Sequence, residues 1–250
     1  MSKFQRMRDL MELKKFDSQD ELVEQIVKIV SDIISKKPDA VLCFACGETP
    51  RPVMDKLFEV RKNGEIDFSR VRLLGLDEWI GVGRGTVGSC SQMLYDDFFS
   101  PMKFRTDQIN IFDGLSKNLD VDIKNINQIV EELGIDFVLL GIGMNGHIGL
   151  NEPGFNPDEK AHVVELSDMT KKVMAKYFDQ EINLQQGITL GFSQLLSAQK
   201  IILMATGERK AKIVKEIVNS EPNNSLPASM FKQSEHESFF FIDEAAGAKL

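Results

Sequence analysis

Asp136–Gly154 reads DFVLLGIGMNGHIGLNEPG: an apolar run closing at Gly141, then a loop dense in glycine. Gly141, Gly143 and Gly146 make a formal G-x-G-x-x-G, the pattern of a dinucleotide-binding turn. That turn has to open a helix whose N-terminus receives the pyrophosphate. Here Gly149, Pro153, Gly154 and Pro157 follow, and proline and glycine at that density break a helix before it starts. Glu165 stands where a ribose-binding acid would, but with no helix in front of it the match is empty. What remains is a pliable loop presenting Asn145, His147 and Glu152. Histidine is the side chain whose ordinary pKa straddles neutrality, and a nearby carboxylate orients its ring and favours its charged form.

The same rhythm of a short apolar run followed by a break and a helical pattern recurs along the chain. The runs are AVLCFA at 40–45, VRLLGL at 71–76, IILMAT at 201–206 and SFFFID at 238–243. Runs of this length alternating with helices predict an α/β fold with a doubly wound, mostly parallel sheet buried on both faces. Ser18-Gln19-Asp20-Glu21 reads as a capping box, and Leu22, Val23, Ile26, Val27, Val30, Ile33 and Ile34 fall on one face of the helix behind it. That helix is expected to end near Lys37, before Pro38. No repeat or low-complexity linker interrupts residues 1–250, which are read as a single domain.

Composition narrows the function. The 250 residues are 42% hydrophobic and 27% charged, with a net charge of −8. An acidic chain without a basic run longer than two residues is a poor duplex nucleic-acid binder, so a small anion has to be held by local groups. No stretch is long and apolar enough for a membrane span. The opening MSKFQRMRDLMELKKF has no apolar signal core, which predicts a cytoplasmic protein. Cys43, Cys46 and Cys90 are too few and too odd in number for a disulfide framework. Cys43 and Cys46 form a C-x-x-C, but with no second pair and no histidine nearby the expectation is packing rather than metal or redox work.

In a doubly wound sheet ligands sit beyond the carboxyl ends of the strands. LDEW places Asp77 and Glu78 there; neighbours in extended chain point to opposite sides, so one serves as a base in the crevice or caps the next turn while the other turns away. CGETP offers backbone N–H groups and the Thr49 hydroxyl at a helix start, a setting for phosphate, without being a Walker loop. TGERK adds Arg209 and Lys210.

Together these segments resemble the amino-sugar-6-phosphate isomerase/deaminase family. Gly141–Pro153 follows its G-x-G-x-[DN]-G-H-[IL]-x-[FL]-N-E-P loop, Asp77-Glu78-Trp79 its strand-end acids, and Gly47–Pro50 its early phosphate loop; GITLG at 187–191 and TGERKA at 206–211 also fit. The resemblance implies a modified Rossmann-like fold and no metal or organic cofactor. It implies Asp77 as the base between C2 and C1, His147 as the ring-opening group and Glu152 as its carboxylate partner. Gly47, Glu48 and Thr49 would cradle the phosphate with Lys210, and Lys176 falls where glucosamine enzymes use an arginine. The ligand is a sugar phosphate, and the family is compatible with a homo-oligomer. Asn145 departs from the aspartate usual in the glucosamine type; it removes a charge and should lower the pKa of His147. With LDEW, KPDAV and GLNEPG it points to galactosamine 6-phosphate converted to tagatose 6-phosphate and ammonia. The alternative is glucosamine 6-phosphate giving fructose 6-phosphate. A 6-phosphogluconolactonase would carry DER and GHTASLFP instead, and a sugar-sensing regulator would need a DNA-binding module that fewer than 40 residues before the first strand do not hold.

Overall fold

A computed structural model describes residues 11–179 and 182–250; the first ten residues of the charged opening segment lie outside it. Its strands are β1 (Met11–Phe16), β2 (Val41–Phe44), β3 (Arg72–Gly75), β4 (Asp77–Trp79), β5 (Ile109–Asn110), β6 (Phe137–Gly141), β7 (His162–Glu165), β8 (Gln186–Thr189), β9 (Lys200–Ala205) and β10 (Glu237–Asp243). The α-helices are α1 (Gln19–Lys36), α2 (Arg51–Lys62), α3 (Cys90–Leu94), α4 (Leu119–Leu133), α5 (Asp168–Met174), α6 (Phe192–Leu196) and α7 (Ala211–Asn219). Seven strands form one sheet in the order β1-β10-β9-β6-β2-β3-β5, every pairing parallel.

The alternation along each strand fills both faces, as the unbroken apolar runs require. Leu42, Phe44, Phe137, Leu139, Ile202 and Phe241 pack under α1 and α2, while Cys43, Val138, Leu140, Ile201, Leu203 and Phe240 pack with α7 on the other side. Helix α1 buries Leu22, Val23, Ile26, Val27, Val30 and Ile34, each contributing about 1.5–3 kcal/mol of burial. Its start is half of the expected capping box. Ser18 Oγ accepts the Glu21 N–H at 3.2 Å, but the Glu21 carboxylate accepts the N–H of Asp17, not of Ser18.

Two features depart from the expected rhythm. Among the described residues the first strand is β1, not the run at residue 40, and it holds one edge of the sheet against β10. MELKKF lacks a long apolar run because an edge strand needs only one good face and carries lysines that discourage further pairing. The second departure concerns Asp77-Glu78-Trp79. The chain leaves the large sheet at Gly75 and at once enters a small antiparallel sheet, β4-β8-β7, with its own core of Trp79, Leu150, Leu166 and Phe178. No helix among the described residues is long and apolar enough to cross a membrane. The carboxyl ends of β2, β3, β6 and β9 all lead to the same side, where the site lies.

Candidate active site

A cavity of about 480 Å³ opens where those strand ends meet, and Thr49, Asp77, His147, Lys176, Arg209 and Lys210 all border it. Asp77 and Glu78 divide their roles as strand geometry dictates. Asp77 faces the cavity. Glu78 is fully buried and accepts three backbone N–H groups, from Trp79 (2.8 Å), Cys90 (2.9 Å) and Ser91 (2.8 Å). It thereby caps α3 and fastens that segment to β4. Burial raises the Asp77 pKa to about 7, the Glu78 charge adds to the rise, and a hydrogen bond from Cys90 opposes it. A carboxyl poised there holds and releases a proton at neutral pH.

The glycine loop shapes the histidine. A Cβ on Gly143 would come within 2.3 Å of the His147 ring, so only glycine lets the imidazole lie against that turn. Asn151 staples the loop to its neighbours, its amide donating to Ile148 O (3.0 Å) and Leu190 O (2.9 Å). The GITLG segment thus supports the loop from behind. Glu152 is not the ring's direct partner: its Oε2 stands 3.9 Å from His147 Nδ1, and Asn145 lies between them. Asn145 Nδ2 donates to Glu152 Oε2 at 3.0 Å, which turns Asn145 Oδ1 toward His147, 2.7 Å from Nδ1 and 3.2 Å from the backbone nitrogen. An amide oxygen only accepts, so Nδ1 carries the proton and Nε2 of the neutral ring carries the lone pair. Glu152 Oε1 in turn accepts from Ser167 Oγ (2.9 Å) and Thr170 Oγ1. Burial lowers the His147 pKa and nearby Lys210 adds to the fall, against the pull of Glu152. The ring is therefore neutral at pH 7.

Cations gather along the same cavity. Lys210 is half-buried and reaches Ile142 O; burial, Arg209 and Lys176 bring its pKa down to about 8. Lys176 Nζ and Arg209 Nη2 both stand 3.1 Å from Glu48 Oε2. Glu48 is held below its usual pKa chiefly by Arg209, then by Lys176. Gly47, at φ 101°, turns the chain into α2 but does not itself border the cavity. Glu48, Thr49, Asp77, His147, Lys176 and Lys210 thus converge on the cavity, whereas Gly47 stands off it and Asn145 and Glu152 sit behind His147.

The model of the glucosamine-6-phosphate isomerase/6-phosphogluconolactonase family matches residues 14–240. The chain belongs to this family. Among its curated relatives are glucosamine-6-phosphate deaminases of Thermoanaerobacter sp. (strain X514), 32% identical over 92% of this chain and 91% of that one, and of Bacillus velezensis, 33% identical over 91% and 95%. A solved structure described as a monomeric glucosamine-6-phosphate deaminase superposes with a TM-score of 0.90 at 30% identity, covering 96% of this chain and all of that one. A 6-phosphogluconolactonase from Thermotoga maritima, at 19% identity and a TM-score of 0.74, shares the fold. These relatives do not confirm the galactosamine branch expected from the sequence. Membership of the glucosamine-6-phosphate isomerase/6-phosphogluconolactonase family leaves several residues of the cavity that the sequence reading did not assign: Cys46, Cys90, Thr170 and Tyr177. Cys46 carries a local mark, the C-x-x-C read as packing, and nothing local marks the other three. Cys46 and Cys90 come together only because Glu78 draws the start of α3 onto β4.

Proposed function

We propose that the protein is a glucosamine-6-phosphate deaminase, converting the amino sugar phosphate and water to fructose 6-phosphate and ammonia. The observation that carries this reading is a single cavity with a near-neutral carboxyl, a neutral tautomer-fixed histidine and clustered cations on its walls. Lys210, Lys176 and Arg209 take the phosphate with Thr49 and the backbone of Glu48 at the turn into α2, the Glu48 carboxylate yielding its partners. His147 Nε2 relays the proton from the anomeric hydroxyl to the ring oxygen, opening the ring. Asp77 removes the C2 proton, leaving an enolamine, and returns it to C1. The C2 iminium that results takes up water and expels ammonia. Asn145 does not border the cavity, so its amide changes the histidine and not the contacts of the sugar. This removes Asn145 as an argument for the galactosamine epimer, and the names of the relatives support the glucosamine reading.

Ammonia release from glucosamine 6-phosphate and galactosamine 6-phosphate, measured side by side, tests it. The glucosamine epimer should be the better substrate by kcat/KM. Preference for galactosamine 6-phosphate would overturn the epimer assignment, and release from neither would overturn the deaminase reading.

A further inference from the structure

Cys46, Asp77 and Cys90 bring two sulfurs and a carboxylate oxygen within 4.8 Å of one another, and all three residues border the cavity. They arrive from three segments: the turn after β2, the first residue of β4 and the first residue of α3. The arrangement is built in advance of any ligand. Glu78, one residue from Asp77, accepts the Cys90 N–H at 2.9 Å and so fixes the distance between β4 and that thiol. The Cys90 thiol also hydrogen-bonds Cys46 and Asp77. Zinc binds sulfur at about 2.3 Å and oxygen at about 2.0 Å, which sets tetrahedral donors roughly 3.5–3.8 Å apart. Closing the trio by about an ångström meets that requirement, and the fourth position opens into the cavity. Two thiolates and a carboxylate select a thiophilic divalent cation over magnesium or calcium.

We propose that Cys46, Cys90 and Asp77 form an inhibitory site for a zinc-type divalent cation, seated on the catalytic carboxyl. Binding releases the two thiol protons, and the Asp77 carboxyl proton where it is held, and forms two metal–sulfur bonds and one metal–oxygen bond, with no change of oxidation state. The Asp77 lone pair that would accept the C2 proton is then engaged by the metal. The binding claim stands on the geometry alone; the inhibition claim rests on Asp77 being the base of the proposed deaminase.

The full-length protein, kept reduced with a phosphine and freed of metal, is titrated with Co²⁺ alone. A single equivalent should produce a thiolate-to-cobalt charge-transfer band and the visible bands of tetrahedral cobalt, both erased by Zn²⁺. Cys46→Ser and Cys90→Ser, each checked for folding by circular dichroism, should lose the thiolate band, while Cys43→Ala, buried in β2, keeps it. If Cys90→Ser does not fold, Cys46→Ser decides alone. No thiolate band in the parent protein, or a band that survives in Cys46→Ser, overturns the site. Zn²⁺ should also lower ammonia release on the order of 10²-fold, the contribution of a general base, with recovery on adding a chelator. Cys46→Ser should escape that inhibition relative to its own zinc-free rate. A band without inhibition overturns the inhibitory role. Ammonia release without a band refutes the metal site and leaves the deaminase standing, whereas a band with no release from any amino sugar phosphate does the reverse.

Discussion

Asn145 is one atom type away from aspartate, and that substitution sets the charge behind His147. Replacing it by aspartate would put a second carboxylate 3.0 Å from Glu152 and against the ring nitrogen, favouring the imidazolium. The chain has three histidines, so proton NMR of the ring signals can follow each one. His147 should titrate below the ordinary value in the parent and move upward in Asn145→Asp; an unmoved titration would contradict the relay. Asp77→Asn should cut kcat by ~10²- to 10⁴-fold while phosphate still competes for the site. The same variant carries a stability signature. The folded pKa of Asp77, about 7, lies above its unfolded value, so its contribution is intact below the unfolded pKa and is lost as pH rises through about 7. Asp77→Asn should therefore melt above the parent at pH 8, with the gap closing toward pH 4.

At the scale of elements, the joint between β4 and α3 depends on one buried side chain. Glu78 satisfies three backbone N–H groups, and an amide in its place accepts through one oxygen only. Glu78→Gln should cost on the order of 3 kcal/mol in urea unfolding, and, by removing the neighbouring charge, should shift the acid limb of Asp77 to lower pH. Unchanged stability would mean that α3 is held by packing. The alternation at Asp77 and Glu78 was legible in the sequence because the two-residue period of a strand is a local property. So were the five apolar runs, and the failure of the glycine loop to open a helix, which follows from Pro153 and Pro157. The second sheet was not legible, because DEW pairs with β8 more than a hundred residues away and three residues carry no period of their own. Strand β1 escaped notice for a related reason: at an edge, MELKKF buries too little to announce itself. Glu152 was assigned to His147 directly, whereas the chain's return at Asn145 interposes an amide that only three-dimensional placement reveals.

Across the whole molecule, a net charge of −8 surrounds a pocket bordered by Lys176, Arg209 and Lys210. Two groups of opposite type bracket neutrality there. Below about pH 7 Asp77 is protonated and cannot take the C2 proton; above about pH 8 Lys210 loses the charge that meets the phosphate. The pH profile of kcat/KM should be a narrow bell between those limbs. Lys210→Met should abolish the alkaline limb and weaken substrate binding roughly 10- to 100-fold, the range for a hydrogen bond to a charged group. A profile that falls neither below pH 7 nor above pH 8 would contradict both assignments. The two limbs also belong to different bodies. Asp77 rides on the small sheet and Lys210 on the segment leaving β9 of the large one, so the packing between sheets acts as a caliper. It measures the span from C2 to the phosphate. A 2-amino pentose 5-phosphate, one carbon shorter, should still be gripped at its phosphate yet fall short of the other jaw. It should compete as an inhibitor while turning over on the order of 10²-fold more slowly, the cost of misplacing a reacting atom by about an ångström.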